Sequence, residues 1–356
     1  MTTNLFKNAF IACASFILLT AVFTGCSSNN SPAPVTADQT KLTALSDSCT
    51  ALLATATGNY PAASITTFQT VLTSVKTAAA VSGITQSAVD NLVIQLRAAK
   101  VAFMATALAA IPAGSTTFAL KFDEGTGTQL TTTGNKAWTA VLMGGPIAGH
   151  TGLPTFVTGH KGTGYGMHFG LGSHLEISNF TPADLVKSQL SISVWVKTDT
   201  LYDNNYIISY NTYHTWKFQL QGAGKPFFTF ASTAGILDAD DHDGGSVTNA
   251  TWTHLVLSLD LTAGTETFYI NGVSQWKWIY GPADSDTNKT KKFLTGTLVP
   301  PTVATPLEIG LDFPIGTPLP TSYGNISYFK GSLDDLEFYN IALTDGQVAG
   351  LYNSEK

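Results

Sequence analysis

From Ser115 onward one pattern governs what the chain can become. Short runs of alternating apolar and polar residues recur roughly every 8–12 residues, separated by turn clusters, with no helical stretch until the C-terminus. Phe118, Leu120 and Phe122 alternate before the turn cluster Asp123-Glu-Gly-Thr-Gly127. Residues 164–177 read as two short strands about Gly170-Leu-Gly172, and residues 190–197 place Ile192, Val194 and Val196 on one face with Trp195 on the other. Residues 206–210, 215–221 and 226–231 are further strands. Residues 251–260 and 265–270 form a hairpin about Thr262-Ala-Gly264, Asn271-Gly272 supplies a tight turn, and residues 307–310 and 332–339 complete the set. Each run has one face to bury, and many such runs without crossover helices make an antiparallel β-sandwich or jelly roll, so the chain is mainly β.

The last run and its sequel read as a closing strand held by a clasp. The two-residue period puts Asp334 with Leu336 and Phe338 on one face, and Leu333, Asp335, Glu337 and Tyr339 on the other. A helix follows, opened by Thr344 with Gln347 three residues on, a capping box, and edged by Val348 and Leu351.

The N-terminal part obeys a different period. Leu42, Leu45, Cys49, Leu52 and Leu53 form one helical stripe, Ile65, Phe68, Val71, Leu72 and Val75 a second, and Val89, Leu92, Val93, Leu96, Ala99 and Phe103 a third. Gly58-Asn-Tyr-Pro61 and Ser82-Gly83 separate them, so residues 36–110 are expected to form an up-down-up three-helix bundle. The sandwich occupies 115–356. Residues 1–25 read as a signal peptide, with Lys7 before an apolar run too short to span a membrane, and 26–35 as a Ser/Asn/Pro tether. The segment Phe23-Thr-Gly-Cys26 resembles a bacterial lipobox, with Phe23 where Leu is usual. That resemblance implies cleavage before Cys26, its lipidation, and a lipid-anchored protein at the outer membrane or cell surface; an ordinary secretory signal is the alternative. Cys13 would leave with the signal, so Cys49 is the one thiol left and no intrachain disulfide can form. Net charge is −6 without a basic patch, which excludes nucleic acid as a partner, and with only 12% charged residues the polar positions fall to Gly, Ser and Thr, as suits a secreted β-rich protein.

Four segments carry a family resemblance: His168-Phe-Gly-Leu-Gly-Ser-His-Leu-Glu-Ile177; Leu190-Ser-Ile-Ser-Val-Trp-Val-Lys197; Trp252-Thr-His254 with Phe268-Tyr-Ile-Asn-Gly-Val273; and Gly331-Ser-Leu-Asp-Asp-Leu-Glu-Phe-Tyr-Asn-Ile-Ala-Leu343. In this order they resemble the laminin-G-like domain of the concanavalin A-like lectin/glucanase superfamily, over about residues 116–352. The resemblance implies two stacked antiparallel sheets with the first and last strands adjacent. The Gly-x-Tyr-Pro turn and the Thr85-Gln86 start of the third helix resemble small helical modules of Bacteroidetes cell-surface proteins; without a titratable cluster the bundle reads as a spacer, with a binding site as the alternative.

Several residues are candidates for chemistry. Asp334, expected to point inward, needs a cation or several donors. Asp123 and Glu124 end the first strand, which the resemblance places beside the last, so these three carboxylates are expected either to hold a structural Ca²⁺ or to be satisfied by backbone N–H groups. Asp238-Ala-Asp-Asp-His-Asp-Gly-Gly245 has the look of a calcium loop but lacks the EF-hand spacing, with Ala239 at the first ligand position, and reads as a solvated acidic loop. Sugars offer apolar ring faces edged by hydroxyls. The expected carbohydrate contacts are therefore Trp276, Trp278 and Tyr280, which share a strand face, together with Tyr202, Asn204, Tyr213 and Trp216. Trp195, Trp252 and Tyr269 are assigned to the sandwich core, and His254 to a structural role. The glycosidases of the superfamily carry Glu-x-Asp-x-x-Glu or Glu-x-Asp-x-Glu on one strand; the nearest stretch, Leu333-Asp-Asp-Leu-Glu337, lacks the first Glu, which argues against an enzyme. The expectation is a lipoprotein that captures poly- or oligosaccharide. A protein-binding adhesion module is the alternative, and a hydrolase or lyase a third.

Overall fold

The computed structural model describes residues 36–145, 151–210, 214–312 and 328–356. The signal, the tether, Cys26 and Tyr213 lie outside the described residues.

The three expected helices are present as α1 (Thr40–Ala54), α2 (Ala62–Ala79) and α3 (Gln86–Met104). Their apolar stripes meet in one core around Leu42, Cys49, Phe68, Leu72, Leu96 and Phe103. The Cys49 thiol is fully buried there, and burial raises its pKa, which makes it inert. Tyr60, in the turn before Pro61, stacks on Phe103 at 4.2 Å and ties the α1–α2 link to α3. Among the described residues no helix is long and apolar enough to cross a membrane.

Two sheets follow. The first runs β15 (Thr290–Lys291), β14 (Val273–Tyr280), β13 (Thr265–Ile270), β12 (Thr253–Asp260), β7 (Gln189–Thr198), β17 (Gly331–Tyr339), β5 (Tyr165–Phe169) and β4 (Thr155–Thr158), with β1 (Thr116–Leu120) also paired to β17. The second runs β11 (Gly235–Asp240), β10 (Pro226–Ser232), β9 (Trp216–Leu220), β8 (Asn205–Tyr210), β16 (Leu307–Ile309), β6 (His174–Ile177), β3 (Thr139–Met143) and β2 (Gln129–Thr131). Pairing is antiparallel apart from the short β14–β15 contact. The first and last strands are adjacent, with Phe118 opposite Phe338 and Leu120 opposite Leu336. Between the sheets lies one continuous core in which Ile192, Val194, Leu255, Leu257, Phe218, Phe230 and Phe338 are fully buried.

The closing strand departs from a simple two-residue period. Leu333 pairs with Val196 and Asp334 with Trp195, but the next partner pair is Glu337 with Ser193. Asp335 sits in this bulge at φ 44°, where β17 passes from β5 to β1 as its neighbour. The extra residue resets the alternation. Leu333, Leu336 and Phe338 therefore all join the sandwich core, while Asp334 stands opposite Trp195 and Glu337 opposite Ser193 on the outer face. The expectation that Asp334 points inward beside Leu336 and Phe338 is corrected by this bulge.

A one-turn helix α4 (Pro182–Leu185) links β6 to β7, although no helix was expected there, and the outer face of β7, β12, β13 and β17 is roofed by helix α5 (Asp345–Glu355) and by Ile111 of the link from the bundle. Thr344 and Gln347 form the expected capping box. Tyr269 donates to Asp345 at 2.8 Å, Ser258 to the Leu343 carbonyl at 2.9 Å, and Ser191 to the Ile341 carbonyl at 3.0 Å. Trp195 and Tyr269 are thus buried under α5 rather than between the sheets, and Trp252 is half-buried, with the Lys197 ammonium 5.1 Å from its ring centre.

Candidate functional site

The aromatic residues expected to meet sugar are scattered. Trp216 is 0% exposed; it stacks on Phe338 at 5.6 Å and donates to the Leu185 carbonyl at 3.1 Å. Trp278 is 1% exposed, donates to the Asp240 carbonyl at 2.7 Å, and carries the Lys291 ammonium 4.1 Å from its ring. Rings this deep offer no face to a ligand, so both are corrected to core residues. Trp278 turns inward, toward the end of β11 in the facing sheet, and Trp276 packs at the margin of the core. Trp276, half-buried, is engaged by His242, stacked at 4.5 Å, and by Lys289 at 3.9 Å. Tyr280 alone of the three is open, at 53%. It lies beside Gly264, at the end of the sheet where β7 begins. Asn204 adopts φ 63° and accepts from Gln219 at 3.3 Å; Tyr202 is half-buried and donates to the Tyr328 carbonyl at 3.1 Å.

A concave site stands at the opposite end of the sandwich, where β5 ends and β17 begins. It is a cavity of about 430 Å³ lined by Thr151, Leu153, Thr155, His168, Leu171 and Lys330, among others. Leu171 and Leu153 are exposed within it and form an apolar patch. Leu171 sits at φ 54° at the tip of the β5–β6 turn, which is closed by Gly170 N–H donating to Ser173 Oγ at 3.0 Å. The His168 ring is held by Asp199 at 3.0 Å. The Lys330 side chain has no ion pair among the described residues, while its backbone N–H donates to Asn205 and its carbonyl accepts from Asp199. Tyr202 stands close behind, its phenol raised above the ordinary value by burial and by the charge of Asp199. None of the expected ring residues among those described is in the cavity's lining. Sequence reasoning missed this lining, although an apolar residue held between two turn glycines was a signal available at Leu171.

The carboxylates expected to hold calcium do not converge. The one group of metal-capable side chains among the described residues is His160, Asp334 and Asp335. Asp334 Oδ2 accepts from the His160 backbone at 2.9 Å and faces His160 Nδ1 at 2.8 Å, and Oδ1 accepts from Asp335 N–H at 2.9 Å. His160 Nε2 donates to the Glu355 carbonyl at 3.0 Å. A ring that donates from both nitrogens is an imidazolium. Burial opposes its charge, but the bonds to Asp334 and Glu355 and the charges of Asp334 and Asp335 prevail, and the pKa is raised. Asp123 accepts from Tyr165 N–H at 3.0 Å, and Glu124 is exposed. Asp334 is therefore satisfied by N–H donors and a protein cation, and these three residues do not fit a calcium ion.

Around this pair lies the rest of a buried network. Lys121 bonds to Glu337 and approaches Asp335 at 3.2 Å and Glu355 at 3.6 Å. Its ammonium is held well above the usual range, because Glu337 and Asp335 outweigh the effect of burial. Glu355 is pushed up to about 7 by burial and by Glu337. Asp335 and Glu337 share a face, as a glycosidase pair would, but they are spent on Lys121 beneath α5.

A family profile described as the concanavalin A-like lectin/glucanases superfamily, Laminin_G_3, matches residues 169–349, just over half of the chain. The chain belongs to this superfamily. Its laminin-G-like domain also shows weak likeness to solved structures. Domain 4 of an extracellular GH43 arabinanase from Geobacillus stearothermophilus, in complex with arabinotriose, is 20% identical, with a TM-score of 0.46 over 68% of this chain and 100% of that one. The binding domain of Paraclostridial Mosquitocidal Protein 1 is 16% identical, with a TM-score of 0.47 over 67% and 52%. The binding domain of botulinum neurotoxin serotype D/C is 13% identical, with a TM-score of 0.47 over 68% and 52%. The laminin-G-like domain thus spans about half of the toxin chains, and at these scores the likenesses carry no argument about ligand or site. No curated protein matches the chain.

Proposed function

We propose that the laminin-G-like domain binds carbohydrate, and that the chain works in glycan capture as a surface lipoprotein anchored through Cys26. The observation that carries the reading is the cavity at the β5–β17 end. Its volume of about 430 Å³ falls within the range of ligand sites. Its apolar patch of Leu153 and Leu171 is edged by the hydroxyls of Thr151 and Thr155, the imidazole of His168 and the ammonium of Lys330. A sugar ring presents the complementary surface, apolar C–H faces bordered by hydroxyls. The carboxylates nearest to a glycosidase motif are sealed under α5, which supports binding without hydrolysis.

The full chain would be screened on arrayed glycans, and His168→Ala and Lys330→Ala tested on any hit. His168→Ala removes a hydrogen-bonding ring and Lys330→Ala an ammonium, and each is expected to weaken binding about tenfold, the equivalent of ~1.4 kcal/mol. An empty array, or affinity unchanged in both variants, refutes the assignment. Retained binding to a protein partner only would favour an adhesion module.

A further inference from the structure

The acidic turn after β11 is more than a solvated loop. Asp241 is 0% exposed, and neither of its carboxylate oxygens has a hydrogen-bond partner. A buried carboxylate without donors or a cation is among the costliest states a side chain can hold. Lys225 acts on it through space but makes no ion pair with it among the described residues.

The surroundings are oxygen-rich and shaped for close approach. Gly244 N–H donates to the Asp241 carbonyl at 2.8 Å and closes the turn. A Cβ at Gly244 would lie 2.7 Å from Asp241 Oδ2 and 2.8 Å from Gln275 Cβ; one at Gly245 would lie 2.9 Å from Gln275 Oε1. The two glycines let the turn pack directly against the Asp241 carboxylate and the Gln275 side chain, where any Cβ would collide. Gln275 is brought there by a second bulge: Phe268 pairs with Trp276 and Tyr269 with Ser274, so Gln275 is the unpaired extra residue of β14. Asp240 is bound into the turn by its own bonds, accepting from His242 N–H at 2.9 Å and, through its carbonyl, from Trp278 at 2.7 Å.

We propose that the turn of residues 240–245 is a divalent-cation site of the calcium type, with the Asp241 carboxylate as its central ligand and the Gln275 amide oxygen beside it. Loop carbonyls and water complete the six to eight oxygens such an ion takes. The absence of EF-hand spacing is no objection, because Gln275 comes from a neighbouring strand rather than from the loop.

Trp278, whose indole N–H touches the turn, gives the site its own reporter. Terbium, a calcium substitute, bound at Asp241 will be excited through that indole. The full chain is expected to sensitise terbium emission, calcium to displace it, and calcium to raise the melting temperature relative to EDTA. Asp241→Asn should lower terbium affinity by at least about tenfold, as changes at metal sites commonly do. Asp243→Asn, whose side chain is 84% exposed, and Asp334→Asn should leave it unchanged. Gln275→Ala, a half-buried change at a sheet edge, should weaken binding severalfold, and it decides the matter if Asp241→Asn does not fold. No sensitised emission from the full chain, wild-type affinity in both Asp241→Asn and Gln275→Ala, or emission lost in Asp334→Asn instead would overturn the site.

Discussion

His160→Ala is the sharpest probe of how the closing strand is held. The ring is bonded to Asp334 at 2.8 Å and to the Glu355 carbonyl at 3.0 Å, and it stacks on Trp195 at 4.2 Å. Its side chain is 3% exposed and that of Asp334 is 6%, so solvent screens the pair little. A hydrogen bond to a charged group contributes ~1.5–3 kcal/mol, and removing one partner of a buried pair costs ~3–5 kcal/mol because the other charge is stranded. We expect a loss of about 3–5 kcal/mol, read by urea unfolding followed through tryptophan fluorescence. The pH dependence separates charge from packing. A raised His pKa means that its stabilisation is full below the unfolded value of about 6.5 and fades as pH rises through the folded value. The difference between wild type and variant should therefore shrink as pH rises from about 6.5 through the raised folded value, leaving the stacking contribution and the one hydrogen bond that a neutral ring still donates. Glu355, pushed up to about 7, loses stabilisation in the same direction, from its unfolded value near 4.3 upward. His254, which burial lowers to about 3, destabilises the fold as pH falls below about 6.5. Asp335, Glu337 and Lys121 complete the groups that face the pair. Only the wild type minus variant difference isolates His160 from these. A loss below about 1 kcal/mol, or a difference flat across that pH range, would refute the imidazolium clamp.

Two further outcomes test the fold around the sites. Trp216→Ala should cost about 3–5 kcal/mol in chemical denaturation, as truncation of a buried ring does, while the folded fraction keeps wild-type glycan affinity; lost affinity at intact stability would return Trp216 to the binding site. Thr344→Ala removes the N-cap of α5 and should lower stability by about 1 kcal/mol by thermal melting, with an unchanged melt showing that the roof is held by its side-chain contacts alone.

The period of the sequence was enough for the layers. Helical stripes gave the bundle core, and short apolar runs between turn clusters gave β7, β8, β9, β10, β12 and β13, because these central strands are buried along most of their length. β11 was missed: its acidic second half, Asp238-Ala-Asp240, belongs to an edge strand with outward-facing acids, and composition cannot tell such a strand from a loop. The candidate cavity was hardly legible, since it is assembled from turns far apart in sequence, of which only Gly170-Leu-Gly172 was read.

Local pattern thus determined which segments bury a face and that Thr344 starts a capped C-terminal helix, while the family resemblance implied that two sheets stack and that β1 and β17 meet. Only the tertiary structure decided which way the informative side chains point. One residue inserted at Asp335 turns Asp334 outward onto His160, and one at Gln275 sets that side chain against Gly244 and Gly245 of the turn after β11. The physical reason is that alternation is counted along one strand, whereas a bulge is fixed by the neighbours with which that strand must pair.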